Sequence, residues 1–216
     1  MLLLATALLV GGCASLSDTQ KGAVIGAGAG AAGGAIIGKA AGGTAEGAII
    51  GAALGGAAGA VIGNQMDKKA EELDEELDDA EVERVGEGIK ITFDGGLLFD
   101  FDSAALRGTA RTNLREFAES MRDFEDTRIL VVGHTDAQGA ADYNRDLSER
   151  RADAAAAFLM EQGVAADRIV SVGRGETEPV ATNETEAGRQ KNRRVEVAIY
   201  ANEEYRERVQ AQTQGR

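Results

Sequence analysis

The chain has 216 residues, enough for one or two domains. It is 44% hydrophobic but only 4% aromatic, with 29 Gly and no Trp, so its apolar content is expected to divide between a membrane segment and a modest globular core. A formal net charge of -13 excludes a nucleic-acid binder, whose phosphate partner needs a basic face, and the single cysteine excludes an intramolecular disulfide.

Met1 to Val10 is a short apolar run followed by Gly11, Gly12 and Cys13. An apolar run ending in small residues has the form of a signal peptide (residues 1–12) and is too short to be a membrane span. Cys13 then stands where a lipobox places its acylated thiol, with a free buried thiol as the alternative. No Lys or Arg precedes the apolar run, a departure from the pattern that points to a start upstream or to missing first residues. Ala14, not Asp, follows the cysteine, and similarity to bacterial lipoproteins on this point implies outer-membrane sorting. Two or more acyl chains, at about 0.8 kcal/mol per buried methylene, would make a stable palmitate-type anchor in outer-membrane lipid.

A glycine zipper occupies residues 22–63. Gly22, Gly26, Gly30, Gly34, Gly38 and Gly42 fall four residues apart, and Gly43, Gly47, Gly51, Gly55, Gly59 and Gly63 form a second register. Position i+4 returns to nearly the same helix face, so each series forms a groove into which another helix backbone can press. In water each such glycine costs a helix about 1 kcal/mol relative to Ala, so helicity requires burial in a membrane or against another helix. The phase break at Gly42-Gly43-Thr44 predicts a helical hairpin over 22–40 and 46–63, with a homo-oligomer as one outcome and a flexible linker as the alternative. Residues 64–84 are expected to be an acidic helical linker whose stripe of Met66, Ala70, Leu73, Leu77 and Ala80 docks lightly.

A globular domain is expected over 85–200 and a frayed polar tail over 201–216. Strands are predicted at 89–93, 97–99, 128–133, 169–172 and 193–200, and helices at 103–124 and 142–162. This alternation predicts an α/β fold, a βαβαβ sandwich with a mixed sheet and helices packed on it. Asp136 just past an apolar strand and Arg151 on the next helix could clamp a zwitterion, the carboxylate facing an ammonium and the guanidinium a carboxylate. Asn144, Ser148 and Arg151 share one helix face at i, i+4 and i+7. The alternative is structural: Asp136 and Arg151 pair with each other, or Arg151 turns to Asp153.

This part of the chain carries Phe99-Asp100-Phe101-Asp102, Gly133-His134-Thr135-Asp136, Gly139, Tyr143-Asn144, Leu147-Ser148, Arg151-Ala152, Gly173-Arg174-Gly175-Glu176, Pro179, Asn183, Gly188-Arg189 and Asn192-Arg193-Arg194-Val195. In order and spacing they resemble the OmpA-like C-terminal domain, and with the lipobox and zipper the layout is similar to the YiaD-type outer-membrane lipoproteins. The resemblance implies non-covalent binding of peptidoglycan through the diaminopimelate of the stem peptide, by a periplasmic domain tethering the outer membrane to the cell wall. It makes Asp136 and Arg151 the clamp and brings in Thr135, Asn144 and Asp102 as polar groups of the pocket.

No enzyme, cofactor or metal is expected. A zinc site needs three or four ligands, and the chain has one histidine and one cysteine. Ser148 lacks a base, and His134 is expected to pack or hydrogen-bond beside the strand end. Arg193 and Arg194 either brush the glycan or form a salt-bridged helix-to-strand junction. A motor component would need an intramembrane acid, whereas the zipper offers only Lys39 and Glu46 near its turn. An oligomeric membrane scaffold or pore with a wall-binding domain is the other reading.

Overall fold

The computed structural model describes residues 43–215, and Cys13, the signal peptide and the first half of the zipper lie outside them. Five strands form one sheet: β1 (Ala80–Val85), β2 (Gly88–Asp94), β3 (Thr127–His134), β4 (Ile169–Gly175) and β5 (Arg194–Ala201). Their order is β1-β2-β5-β3-β4, antiparallel except for the parallel β3–β4 pair, so the sheet is mixed as expected. Seven helices surround it among the described residues: α1 (Thr44–Ala52), α2 (Gly56–Glu76), the single turn α3 (Gly95–Leu98), α4 (Gly108–Arg122), α5 (Ala141–Glu161), α6 (Glu186–Asn192) and α7 (Glu203–Gln214).

Strand alternation divides the apolar residues between two layers. Ile89, Ile91, Phe93, Ile129, Val131, Val195, Val197 and Ile199 point to one face, where α2, α4, α5 and α7 close the main core. Leu130, Val132, Ala198 and Tyr200 point to the other face and are covered by Ala45, Ala48, Ile49 and Ala52 of α1.

Three expectations outside the central elements of the sheet domain shift. The second zipper half is not one helix over 46–63: it breaks between Ala52 and Gly56, where Gly55 and Gly56 adopt φ of 70° and 62°. Left-handed backbone suits glycine and interrupts a helix. The Glu87 carboxylate then accepts from the N–H groups of Leu54 and Gly55 at 2.8 and 2.7 Å, placing an acid at the α2 N-terminus. Residues 64–84 are no loosely docked linker, because Met66, Ala70, Leu73 and Leu77 are buried in the main core and residues from Ala80 onward form β1. The tail is not frayed: Asn202 caps α7 by accepting from Tyr205 N–H at 2.8 Å, and Tyr205 and Val209 bury against the core.

Within the domain, residues 97–99 are no strand but the end of a helical turn, and only Phe99 bridges to Leu106. That bridge holds residues 99–106 out of the following helix, which therefore starts at Gly108 and not at Ser103.

Candidate functional site

The site lies at the carboxyl end of β3, where the chain leaves the sheet and returns through α5 to the parallel strand β4. Side chains from strand ends converge there in α/β sheets. The close approach of α5 depends on glycine. A Cβ at Gly133 would stand 2.1 Å from the Ser148 carbonyl oxygen, and Gly175, at φ 55°, passes beside the Arg145 backbone. Ser148 secures the contact: its Oγ accepts from Gly175 N–H at 2.8 Å and donates to the Arg145 carbonyl at 2.7 Å. The buried face of α5 thus presents Asn144, Ser148 and Arg151 toward the strand ends.

Asp136 is 6% exposed. One carboxylate oxygen accepts from Gln138 N–H at 3.0 Å and the other from Arg193 at 2.5 Å. Arg193 also reaches Glu186 at 2.7 Å. Burial opposes its charge, but Glu186 and Asp136 more than offset this and raise its pKa. Arg151, equally buried, donates Nε–H to the Ser103 carbonyl at 2.9 Å and lies 5.2 Å from the centre of the Phe99 ring. Burial lowers its pKa, Asp102 opposes that most strongly, and Asp136 and Tyr143 also pull it up while Arg193 repels it. Among the described residues Arg151 makes no ion pair. Neither structural alternative occurs, since Asp136 pairs with Arg193 and Asp153 accepts from the Ser171 hydroxyl at 2.6 Å.

Asn144 threads the pocket together, donating to the carbonyls of Asp136 and Gln138 and to Glu176 at 2.6 Å. The Thr135 hydroxyl is buried beside Asp136 and has no hydrogen-bond partner among the described residues. Asp102, at φ 56°, accepts from the Tyr143 hydroxyl, which raises the phenol's pKa. The five expected residues thus lie along the first half of α5 and in the loops at residues 99–103 and 134–138 beside it.

Three contributors were not assigned from the sequence: Glu176, Tyr143 and the main-chain carbonyls around Ser103. A main-chain acceptor leaves no trace in side-chain pattern. Tyr143 beside Asn144 at the start of α5 was the available signal.

His134 lies on the α1 side of the sheet, 3.6 Å from Glu196, outside hydrogen-bonding distance. Burial lowers its pKa against the pull of Glu196. Burial would raise Glu196, but His134 and Arg194 outweigh it and hold its carboxyl at about 2. Arg194 reaches that carboxylate at 2.7 Å. The group is a buried charge cluster, and Arg194 belongs to it instead of facing a glycan.

The model of the OmpA family matches residues 98–193, and that of the YMGG-like Gly-zipper matches residues 1–67. The chain is 37% identical over 118 residues to the probable lipoprotein YiaD of Escherichia coli, covering 55% of this chain and 54% of that one. It is 38% identical over 105 residues to the peptidoglycan-binding protein ArfA of Mycobacterium tuberculosis, covering 49% of this chain and 32% of that one. The first curated relatives are matched over 33% to 57% of their own length. Among solved structures, the cell wall anchor of the T6SS from Pseudomonas aeruginosa aligns with a TM-score of 0.56 and 33% identity, over 63% of this chain and 97% of that one.

Proposed function

We propose that the chain, whose residues 98–193 match the model of the OmpA family, binds peptidoglycan without covalent chemistry and tethers the bacterial outer membrane to the cell wall. Its ligand is the zwitterionic end of diaminopimelate in the stem peptide. The observation that carries this reading is a buried arginine without an acidic partner among the described residues, on the same side of the fold as a buried aspartate. Among the described residues no carboxylate pairs with the Arg151 guanidinium, and a desolvated fork of this kind favours a bidentate anion. Asp136 is held by Arg193 and Gln138, and an ionised carboxylate has further lone pairs for a ligand ammonium. The buried Thr135 hydroxyl adds a polar group awaiting a partner. Asn144 and Asp102 shape the walls.

On this reading Cys13 supplies a lipid anchor and residues 22–42 supply membrane or oligomer contacts. Residues 44–76 are committed to the domain, which weighs against a pore built from the whole zipper.

The test is co-sedimentation of the full chain, in detergent, with purified peptidoglycan, with and without free diaminopimelate. Binding that the free amino acid displaces, and that Asp136→Ala or Arg151→Ala abolishes while the fold persists, is the expected result. Undiminished binding by Asp136→Ala would remove the clamp assignment.

A further inference from the structure

We propose that Phe101 is a stacking platform for a pyranose ring of the glycan strand, adjoining the stem-peptide clamp. The inference rests on the peptidoglycan reading above and extends it from the peptide to the sugar. Phe101 is 95% exposed, whereas the next most exposed large apolar side chain among the described residues is Val180 at 58%. Single exposed apolar residues are ordinary on protein surfaces, so exposure alone decides nothing. The way the turn is built does.

Two residues earlier, Phe99 is buried beneath the Arg151 guanidinium. The chain then turns outward. Ser103 N–H bonds back to the Asp100 carbonyl at 3.2 Å, and Asp102 takes a left-handed conformation that L side chains rarely adopt. The Asp102 carboxylate is tied to the Tyr143 hydroxyl on α5, and the Ser103 carbonyl is tied to Arg151. Strain at such a residue persists where its surroundings over-determine it, and here those surroundings are the clamp itself. Phe101 is thus projected into solvent from a turn fixed at both flanks to the pocket.

The chemistry around the ring narrows the occupant. Asp100 and Asp102 flank it in sequence; Asp100 pairs with Arg107 at 3.6 Å yet its side chain is 77% exposed, and Asp102 accepts from Tyr143, so each carboxylate keeps lone pairs for a further donor. A pyranose has an apolar C–H face and a hydroxylated edge, which match an aromatic face bordered by carboxylate acceptors. A membrane surface is disfavoured, because two acids would have to approach lipid headgroups. A protein partner would need about 800 Å² of complementary surface, far more than one side chain provides.

Calorimetric titration of the full chain in detergent with two probes tests this: a disaccharide-peptide containing diaminopimelate, and the same peptide without its sugars. The wild type is expected to bind the disaccharide-peptide more tightly. Phe101→Ala should weaken that probe about five- to tenfold and leave the free peptide within twofold, and Phe101→Tyr should restore the preference. Equal wild-type affinity for the two probes, or a Phe101→Ala loss shared by both, overturns the platform and leaves the clamp standing. Binding of neither probe by the wild type overturns the clamp reading and the platform with it. A variant that keeps the sugar preference but partitions less into phosphatidylglycerol vesicles would reassign Phe101 to the membrane.

Discussion

Arg151 is buried against an aromatic ring and a main-chain carbonyl, so its charge is desolvated without being neutralised by a protein acid. Arg151→Lys keeps the charge but loses the planar fork. The full chain carrying it is expected to lose at least about tenfold in peptidoglycan affinity by co-sedimentation, an amount equal to roughly one bidentate hydrogen bond. Retained affinity would mean that charge alone suffices. Glu196 carries a different kind of consequence. Its carboxyl is held at about 2 against an ordinary value of 4.5, so the folded state binds fewer protons than the unfolded chain between these limits. The stabilisation is complete above pH 4.5 and disappears as pH falls toward 2, a loss on the order of 3 kcal/mol. Thermal unfolding should show a falling Tm across this range, and Glu196→Gln should lower Tm at pH 7 and flatten the acid limb. The sequence exposed the titratable motif residues here, but not the Arg194–Glu196–His134 cluster, because β5 and β3 are distant in sequence and adjacent only in the sheet.

At the scale of elements, the strand and helix order of residues 89–200 could be read from alternation and apolar stripes, since each element carries its own period. What could not be read was which stripes meet. The stripe of Met66, Ala70, Leu73 and Leu77 looks like a weak solvated helix on an acidic background, yet it is buried because β2 and α4 offer a complementary face. Residues 103–106 read as the start of a helix because their backbone is set by the Phe99–Leu106 bridge and the clamp, neither of which has a local signature. Asn202 followed by Glu203 and Glu204, with Tyr205 and Val209 four apart, was a readable cap and stripe for α7. The α5–β3 contact makes a sharp prediction. Gly133→Ala places a Cβ 2.1 Å from a main-chain oxygen, so α5 must move. A cost of about 3 kcal/mol is expected, or roughly 10 °C in Tm. Peptidoglycan binding should fall as well, because the shift separates Arg151 from Asp136, and a variant that lost stability yet bound normally would show that the helix moves as a unit with the clamp.

For the whole molecule, the second half of the zipper and the sheet domain are not separate modules joined by a stalk. Residues 44–52 close one face of the sheet and residues 56–76 complete the core on the other. Further polar contacts join the zipper to the domain. Thr44 donates its hydroxyl to Glu178 at 2.6 Å, and Lys90 joins Glu46 on α1 to Glu83 on β1. Burial lowers the Lys90 pKa, yet the two acids outweigh it and push it up to about 12. The second half of the zipper is therefore part of the domain itself. If α2 is core, then Leu73→Ala, a fully buried position, should destabilise by about 2–5 kcal/mol, as a cavity in a packed interior does. The loss should register in a single unfolding transition shared by far-UV circular dichroism and by Tyr fluorescence. A solvated stalk would give a change below about 0.5 kcal/mol, and a separate module would give a second transition. Either of these would return α2 to the role of a spacer.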